Sequence, residues 1–255
     1  MTYLSTVLAD NPVHYWRLAD GPSFIAHDIG SSPLHLGVNV LNGLYTGIEA
    51  NAGAMVSNAS NGLAQLRDTF NAVTPLTLEA WFWQLESNAA EGTIFYLGDN
   101  AGVRQYALYV EGNKSAAAFV DGTVVNPAGA IAPQTWHHEV VTYDEANIRL
   151  YVDGTLVNTT AHTGHRNTNP AVWIGRTPPT NTSIFNGFEA ELAYYNVALS
   201  GARVAAHFAA AGPLFAPVGG VGANTVSITT GVPTSSINQL TTVLANITST
   251  YLNSP

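Results

Sequence analysis

Residues 136–157 read WHHEVVTYDEANIRLYVDGTLV, and this stretch decides the fold. The stretch predicts two β-strands, at 137–143 and 147–153, joined by a short turn. The Asp153–Gly154 step predicts a two-residue turn, because both central residues of such a turn need a positive φ. A third strand is predicted directly afterwards, at 155–160. The stretch therefore predicts antiparallel strands joined by tight turns.

Similar strand signals extend over most of the chain. The segment LTLEAWFWQL at 76–85 carries bulky side chains on both alternating faces, so we expect a central strand that is covered on both sides. The motif Val-Asp-Gly-Thr occurs at 120–123 and again at 152–155, which predicts two hairpins of the same kind. Other strands are predicted at 36–41, 63–66, 93–97, 104–110, 116–120, 123–126, 171–176 and 188–195. Many short strands with almost no helix predict an all-β, two-sheet antiparallel sandwich.

One short helix is predicted at the end of this sandwich. Ser200 is a suitable N-cap, and Leu199 and Val204 occupy the two positions of a hydrophobic staple. Alanines continue to Ala211, and Gly212–Pro213 is typical of a helix end. We therefore place the domain boundary directly after this helix.

Three parts follow from this boundary: a sandwich over 1–211, an extended linker over 212–234 and a short helical segment over 235–255. The 52 residues after Arg203 contain no Asp, Glu, Lys or Arg. Within the last part, apolar side chains recur at the spacing of a heptad stripe: Ile237, Leu240, Leu244, Ile247 and Tyr251.

A helix as short as this last segment is unstable in isolation, so its apolar stripe must be covered. Self-association of the chain, with a trimer favoured, is one way to cover it. Docking onto another protein of a larger assembly is the second, and packing back onto the sandwich is the third. The sequence therefore predicts a segment for oligomerisation or docking.

Composition excludes several classes of function. The net charge of −9 with a single lysine, Lys114, argues against nucleic acid as a partner, which attracts basic surfaces. Neither a basic cluster nor a run of ~20 apolar residues indicates a membrane partner. The chain has no cysteine, which excludes disulfides and thiolate metal sites. The first residues lack the pattern of a secretory signal, so we expect synthesis in the cytoplasm of the producing cell.

Four stretches carry a resemblance to a known family. They are NPVHYWRLAD at 11–20, LTLEAWFW at 76–83, WHHEVVTYDEANIRLYVDG at 136–154 and FNGFEAELAYYNVALSGARVAAHFAAAG at 185–212. In this order they resemble the laminin-G-like branch of the concanavalin A-like jelly rolls, over roughly residues 3–211. The resemblance implies two antiparallel sheets packed face to face, and in this family such a sandwich often binds carbohydrate or protein.

The chain departs from the family pattern at two positions. Glu139 replaces the small, valine-like residue that many members have after the paired histidines. Alternation along the strand leaves two interpretations of Glu139, a buried partner of a histidine or an exposed edge position. Ala190-Glu191 replaces the Asp-Glu that many members carry in the last long strand.

The resemblance also implies a calcium site. Asp28 lies in the loop that corresponds to the calcium segment of the family, and Glu191 supplies a second carboxylate from the last strand. Ca²⁺ prefers six to eight oxygen ligands, including carboxylates. The competing interpretation is a loop aspartate that makes an Asx-turn and a strand glutamate that faces solvent. Calcium is the one cofactor that we expect.

Catalytic residues are not predicted. Glu189 and Glu191 are two apart on one strand and are expected to share a face, as a glycosidase pair would. However, their run lacks the ExDxxE spacing of the hydrolases in this superfamily. His137 and His138 are adjacent on a strand, so they should point to opposite faces, with His138 packed and hydrogen-bonded.

Aromatic residues offer platforms on which sugars stack, although most of them lie within strands and are expected in the core. The sequence pattern predicts a core position least firmly for Tyr106, Tyr194 and Tyr195. The sequence therefore does not identify a glycan site.

These features together predict a non-enzymatic surface protein of a bacteriophage virion: a capsid decoration, fibre or minor tail protein. The sandwich would face outward and contact host glycans, and the C-terminal segment would trimerise or anchor the chain to other virion proteins. A free carbohydrate-binding lectin is the alternative, and a glycoside hydrolase is the third hypothesis.

Overall fold

The computed structural model describes most of the sandwich. The described residues are 2–20, 23–42, 45–48, 53–57, 64–65, 72–85, 91–99, 104–112, 116–126, 130–164, 171–178, 183–214 and 217. The chain divides into two compact units, 1–222 and 223–255. The predicted helical segment 235–255, with its apolar stripe, lies outside the described residues, and the predicted domain boundaries stay predictions.

Sixteen strands and two helices make up the described part. In chain order they are α1 (Tyr3–Leu8), β1 (His14–Trp16), β2 (Ser23–Ala26), β3 (Leu36–Asn42), β4 (Tyr45–Thr46), β5 (Gly53–Ser57), β6 (Ala64–Gln65), β7 (Leu76–Gln84), β8 (Gly92–Gly98), β9 (Arg104–Val110), β10 (Ala116–Val120), β11 (Thr123–Val125), β12 (Trp136–Tyr143), β13 (Asn147–Val152), β14 (Thr155–Ala161), β15 (Ala171–Ile174), β16 (Gly187–Tyr195) and α2 (Gly201–Ala210). No described helix has the length and apolar character to cross a membrane.

The strands form two eight-stranded antiparallel sheets. The first sheet has the order β14-β13-β12-β7-β16-β5-β4, with β1 paired to β16. The second sheet has the order β11-β10-β9-β8-β15-β6-β3-β2. Neighbouring strands in this order are often distant in sequence, which is the connectivity of a jelly roll. The predicted two-sheet antiparallel sandwich is confirmed.

Alternation along β7 explains where the two apolar clusters lie. Leu78 and Phe82 point inward to the main core between the sheets, where residues of both sheets meet. Trp81 points to the opposite side of the first sheet, into a second cluster that also contains Tyr3 of α1 and Val204 of α2. The predicted central strand, buried on both faces, is confirmed, and two helices cover its outer face.

The turn and helix signals are confirmed as well. Both residues of the Asp121–Gly122 and Asp153–Gly154 turns have a positive φ. The Ser200 side chain accepts a hydrogen bond from the Arg203 backbone N–H at the start of α2. Gly212, with a φ of 70°, follows the helix end.

The N-terminal region differs from the prediction. Residues 3–8 form the helix α1, capped by Thr2, although only the helix after Ser200 was predicted within the sandwich. β2 and β5 lie in segments for which no strand was predicted. These elements are short, and their positions depend on pairing and packing partners rather than on local periodicity.

Candidate functional site

A group of polar side chains lies buried between the first sheet and the two helices, and we call it the helix-covered cluster. Its centre is the Glu79 carboxylate on β7, which is fully buried. One oxygen, Oε1, accepts hydrogen bonds from Tyr3 Oη at 2.6 Å and His138 Nε2 at 2.7 Å. The other oxygen, Oε2, accepts a hydrogen bond from Tyr195 Oη at 2.8 Å. Residues of α1, β12 and β16 thus converge on one carboxylate.

His207 of α2 connects Glu79 to a second carboxylate. Its Nδ1 lies 3.0 Å from both oxygens of Glu79, and its Nε2 lies 2.7 Å from Asp10 Oδ2. Carboxylates accept hydrogen bonds, so both ring nitrogens must donate and the ring is an imidazolium. Arg203, which lies on α2 as His207 does, donates hydrogen bonds from Nε and Nη2 to Asp10. Positive and negative groups therefore alternate along the helix-covered cluster.

The pKa values agree with this arrangement. Burial raises the pKa of Glu79, but the charge of His207 and hydrogen bonds from His138 and His207 hold it well below the usual value. Burial lowers the pKa of His207, but Glu79 and Asp10 together raise it above 6.5. The side chains of Glu79, His138 and His207 are sealed from solvent. The cluster joins both helices to the sheet, so it is suited to holding the structure together rather than to binding substrate.

Sequence reasoning found only one member of this cluster in its correct role. His138 is packed and hydrogen-bonded as predicted, and His137 points to the opposite face, where its Nδ1 meets Asp153 Oδ2 at 2.8 Å. Glu79 and His207 were missed, although a glutamate inside a tryptophan-rich strand and a histidine inside an alanine-rich helix are signals of buried polar partners.

Glu191 lies at a β-bulge rather than in a regular strand. Its φ is 55°, and the pairing of β16 with β7 shifts register between Ala190 and Ala193. The Glu191 carboxylate accepts hydrogen bonds from Tyr15 Oη and from Arg17 Nη2, the latter at 2.8 Å. Tyr15 belongs to the second apolar cluster, which lies on the outer face of the first sheet, so Glu191 also points to that face.

The expectation that Glu189 and Glu191 share a face is wrong. Glu189 is paired with Phe82 on β7, and Phe82 lies in the core between the sheets. Directly paired residues project from the same face of a sheet, so Glu189 points inward. The bulge at Glu191 breaks the alternation between the two residues. They therefore do not form the carboxylate pair that a glycosidase needs.

Asp28 is the buried anchor of an N-terminal loop. Its Oδ1 accepts hydrogen bonds from the backbone N–H of Tyr15 at 2.7 Å and of Gly30 at 2.8 Å. Its Oδ2 accepts from the Leu34 backbone N–H at 2.8 Å and meets His14 Nδ1 at 2.7 Å. The predicted Asx-turn role of Asp28 is therefore present.

Three further side chains of this loop lie near its surface, and we call Asp20, His27 and His35 the loop cluster. His27 Nδ1 lies 3.1 Å from Asp20 Oδ1, and the His27 side chain is 50% exposed. The rings of His27 and His35 meet edge to face with centroids 4.9 Å apart. His35 Nδ1 also accepts the Asp28 backbone N–H at 3.1 Å, which ties the loop cluster to the buried anchor.

The described residues form no group of three or more His, Asp or Glu side chains that could hold a metal ion. Calcium sites also use backbone carbonyls and water, so this observation does not test the predicted site. Asp28 and Glu191 each accept several hydrogen bonds within the protein, as described above. Calcium binding by these residues stays a prediction.

Glu139 has neither of the two predicted roles. It pairs with Ala80 and Val152, which line the core between the sheets, and it is fully buried. Neither carboxylate oxygen has a hydrogen-bond partner in the described structure. Burial raises the pKa of Glu139 well above its usual value. The backbone of Ala117 lowers this pKa only in part, because it does not meet the geometry of a hydrogen bond to either oxygen. Burial without a described hydrogen-bond partner therefore favours the neutral form of Glu139 inside the core.

The three tyrosines considered as sugar platforms are core residues. Tyr106, Tyr194 and Tyr195 are all buried, and Tyr195 belongs to the helix-covered cluster. None of them presents a ring to solvent. The described surface therefore offers hydrogen-bonding loops rather than these aromatic rings for contact with a ligand.

Comparison with solved structures finds the same fold in carbohydrate-related proteins. The binding domain of botulinum neurotoxin DC in complex with SialylT gives a TM-score of 0.60 at 13% identity, over 79% of this chain and 51% of that one. Domain 4 of AbnA, a GH43 extracellular arabinanase from Geobacillus stearothermophilus solved with arabinotriose, gives 0.56 at 15% identity, over 77% of this chain and 98% of that one. Trypanosoma rangeli sialidase gives 0.56 at 14% identity over 78% of this chain.

At these identities the likeness establishes the fold alone. The chain spans only 32% of the sialidase chain and about half of the neurotoxin chain. No curated protein sequence matches the chain. Residues 57–205, more than half of the chain, match the family Laminin_G_3. The chain therefore belongs to Laminin_G_3, a family of the concanavalin A-like lectin/glucanases superfamily.

Proposed function

We propose that this chain is a non-enzymatic, carbohydrate-binding protein of a virion surface, with the loop cluster as its glycan contact. Two neighbours in fold support a carbohydrate ligand, since one was solved with SialylT and another with arabinotriose. The observation that carries the proposal is the loop cluster itself. Among the described residues it places exposed hydrogen-bonding groups side by side on an anchored backbone.

The chemistry of the loop cluster suits a sugar. Asp20 accepts hydrogen bonds from hydroxyl groups, and His27 donates or accepts according to its tautomer. His35, whose Nδ1 accepts the Asp28 backbone N–H, donates through Nε2. Ile25 and Ile29, which are 46% and 43% exposed, add apolar surface for the C–H face of a sugar ring. Asp28 fixes the loop backbone through four hydrogen bonds, which lowers the ordering cost of binding.

The burial and hydrogen bonding of the carboxylates favour a binding role over hydrolysis. Glu79 and Glu191 are hydrogen-bonded beneath the helices, and Glu139 is sealed between the sheets. Glycoside hydrolysis needs two accessible carboxylates on either side of one sugar. A free lectin stays the alternative, and it shares the same binding prediction.

A glycan array with the intact chain tests the carbohydrate ligand. We expect binding to a defined set of glycans, and at least about a tenfold weaker signal for the His27→Ala/His35→Ala double variant, a loss of ~1.4 kcal/mol. His162→Ala is the matched control, because His162 is a half-buried histidine in the segment after β14. Equal binding by both variants would remove the loop cluster from the proposal, and no binding to any glycan would contradict the ligand class.

The virion part of the proposal rests on sequence features. The chain lacks cysteine, and its last 52 residues carry no formally charged side chain, which suits a segment covered by other proteins of an assembly. The segment with Ile237, Leu240 and Leu244 would trimerise the chain or anchor it to such proteins. Sedimentation of phage particles from lysates of infected cells, probed for the chain, tests this. Recovery of the chain only in the soluble fraction would favour the free lectin.

Calcium is proposed as a stabilising ligand at Asp28 and Glu191. A ligand that binds only the folded chain raises its melting temperature in proportion to the logarithm of its concentration. Thermal unfolding with and without millimolar CaCl₂, and with Asp28→Asn for comparison, tests the site. An unchanged melting temperature at millimolar calcium would contradict it.

A further inference from the structure

The arginines of this acidic chain differ in whether a carboxylate neutralises them. Asp and Glu together number 17, against eight Lys and Arg. Four of the five arginines that the structure describes form ion pairs: Arg17 with Glu191, Arg104 with Glu91, Arg149 with Asp144 and Arg203 with Asp10. No carboxylate among the described residues pairs with the fifth, Arg176. In a chain with twice as many acids as bases, this cation needs an explanation.

Arg176 is also partly withdrawn from water. Its guanidinium lies over the ring of Trp173, with Cζ 5.3 Å from the ring centroid. Its Nε is buried and has no hydrogen-bond partner in the described part of the chain. Burial lowers the pKa of Arg176, and no described acidic group raises it again. The residue as a whole is half-buried, so a ligand can reach it, and a bound anion would offset the cost of withdrawing the charge from water.

The backbone on both sides of Arg176 is held in place. The preceding residue, Gly175, donates its N–H to a carbonyl of β8 at 3.1 Å, and its own carbonyl accepts the Phe185 N–H at 2.9 Å. The following residue, Thr177, is buried, and its hydroxyl lies 2.8 Å from the Thr93 hydroxyl. A side chain on a fixed backbone loses less conformational entropy when it binds a ligand. Arg176 is therefore better prepared for binding than a side chain on a free loop.

Arg176 lies far from the loop cluster along the second sheet. Gly37 of β3 and Trp173 of β15 both pair with Gln65 of β6 in antiparallel register, so β3 and β15 run in the same direction. His35 comes two residues before Gly37, whereas Arg176 comes three residues after Trp173. The two positions therefore lie towards opposite ends of the second sheet. A ligand at Arg176 occupies a site of its own.

We propose that Arg176, stacked on Trp173, binds the carboxylate of a small ligand, an acidic sugar or a free organic acid. Stacking on the indole uses the flat face of the guanidinium and leaves its N–H donors in the plane of the group. These donors form a fork that matches the two oxygens of a carboxylate. The proposal does not depend on the loop cluster or on the glycan that it binds.

A ligand with one negative charge suits this position better than a polyanion. Nucleic acids and other polyanions bind to clusters of basic side chains. The net charge of −9 repels them, and the other described arginines are already neutralised by carboxylates. Arg176 therefore provides a single positive charge with directional donors. An acidic sugar and a free organic acid present the same carboxylate to it, so the test includes both.

Fluorine NMR of the full chain labelled with fluorotryptophan tests the site, because Trp173 lies directly beneath Arg176 and the chain has only five tryptophans. Trp173→Phe assigns the resonance of Trp173. The probes are methyl glucuronide, the neutral methyl glucoside and acetate. We expect methyl glucuronide to shift the Trp173 resonance saturably, with an affinity at least about tenfold higher than that of methyl glucoside, since one hydrogen bond to a charged group contributes about this much.

Three variants assign the preference to the guanidinium. Arg176→Gln should abolish the preference for glucuronide over glucoside, and Arg176→Lys should keep only part of it, because lysine has the charge without the fork. Arg149→Gln is the matched control, since Arg149 is a half-buried arginine that already pairs with Asp144, and it should keep the full preference. Unchanged resonances of the other four tryptophans verify the fold of each variant.

The comparison of probes decides the outcome. Acetate that binds as tightly as methyl glucuronide would support a carboxylate site for free organic acids, and much weaker binding of acetate would support an acidic sugar. Equal affinities for glucuronide and glucoside, or a preference that persists in Arg176→Gln, would overturn the proposal. The absence of a saturable shift with either acid would overturn it as well. None of these outcomes bears on the loop cluster, which the glycan array tests separately.

Discussion

Single ionisable side chains have opposite roles on the two faces of the first sheet. On the outer face, Glu79 is ionised and receives hydrogen bonds from four side chains: Tyr3, His138, Tyr195 and His207. On the inner face, burial raises the pKa of Glu139 and so favours its neutral form, and no described group hydrogen-bonds its oxygens. A buried charge is tolerable only with partners, so the same residue type takes the protonation state that its surroundings permit.

Glu139→Gln tests the neutral acid. The pKa of Glu139 is raised in the folded state, so the folded chain keeps a proton that the unfolded chain releases above about pH 4.5. Wild-type stability should therefore fall as the pH rises from 4.5 through the raised value. The glutamine variant should lack this slope and gain about 1–3 kcal/mol over wild type at pH 7.5. Urea unfolding of both proteins at pH 4.5 and 7.5 measures the difference, and parallel pH profiles would contradict the assignment.

His207→Gln tests the imidazolium. The pKa of His207 is raised above 6.5 in the folded state, so its contribution is complete below pH 6.5 and is lost as the pH rises through the raised value. Without the charge, Glu79 and Asp10 lose their shared partner. We therefore expect the free energy of unfolding to fall by about 3 kcal/mol at pH 6. The loss should shrink towards pH 9 in urea unfolding curves. His162→Gln is the control for a histidine outside the cluster, and a loss that is independent of pH would argue against the charged ring.

Among the elements, long regular strands were predictable and short ones were not. The alternation in 76–85 predicted β7, and the predicted bounds of β9 and β10 agree with the structure. The bulge in β16 was not predictable, because the turn of Glu191 to a positive φ depends on pairing to both β7 and β1. Local periodicity reports the face of a regular strand, and it fails where tertiary pairing interrupts that regularity.

Two matched glycines test the packing of α2 against the β13–β14 turn. Gly122 and Gly154 follow aspartate in the same type of turn, and both have a positive φ. A Cβ at Gly122 meets nothing within 4 Å, whereas one at Gly154 would lie 3.0 Å from the Phe208 Cβ of α2. We expect Gly122→Ala to cost about 1–2 kcal/mol, the cost of backbone strain alone. Gly154→Ala should cost more, as measured by thermal unfolding, and equal costs would contradict close packing of α2 on this turn.

At the scale of the whole molecule, the sequence predicted the sandwich but not its polar clusters. Residues 3, 10, 79, 138, 195 and 207 meet only because the jelly-roll order places β12, β7 and β16 side by side beneath two helices. Alternation predicts the face on which a side chain lies, but it does not predict which distant residues share that face. Asp28 was singled out through the family resemblance as a calcium ligand, which stays a prediction. Its hydrogen bonds join Gly30 and Leu34 of its own loop to His14 and Tyr15 of β1.

Within the part of the chain that the structure describes, several ionisable residues hold the sandwich together. The helices are fixed to the first sheet by the helix-covered cluster, and the N-terminal loop is fixed by Asp28. The exposed loop cluster is the described surface at which we propose contact with a ligand. This arrangement supports the binding role that we propose.

Isothermal titration of the intact chain with the glycan that binds most strongly on the array, with parallel assay of released reducing sugar, tests the central claim most directly. We predict saturable binding, about tenfold or more weaker binding by the His27→Ala/His35→Ala variant, and no released sugar above the buffer blank. Release of sugar by the wild-type chain, or the absence of a binding isotherm for the glycan, would contradict the account.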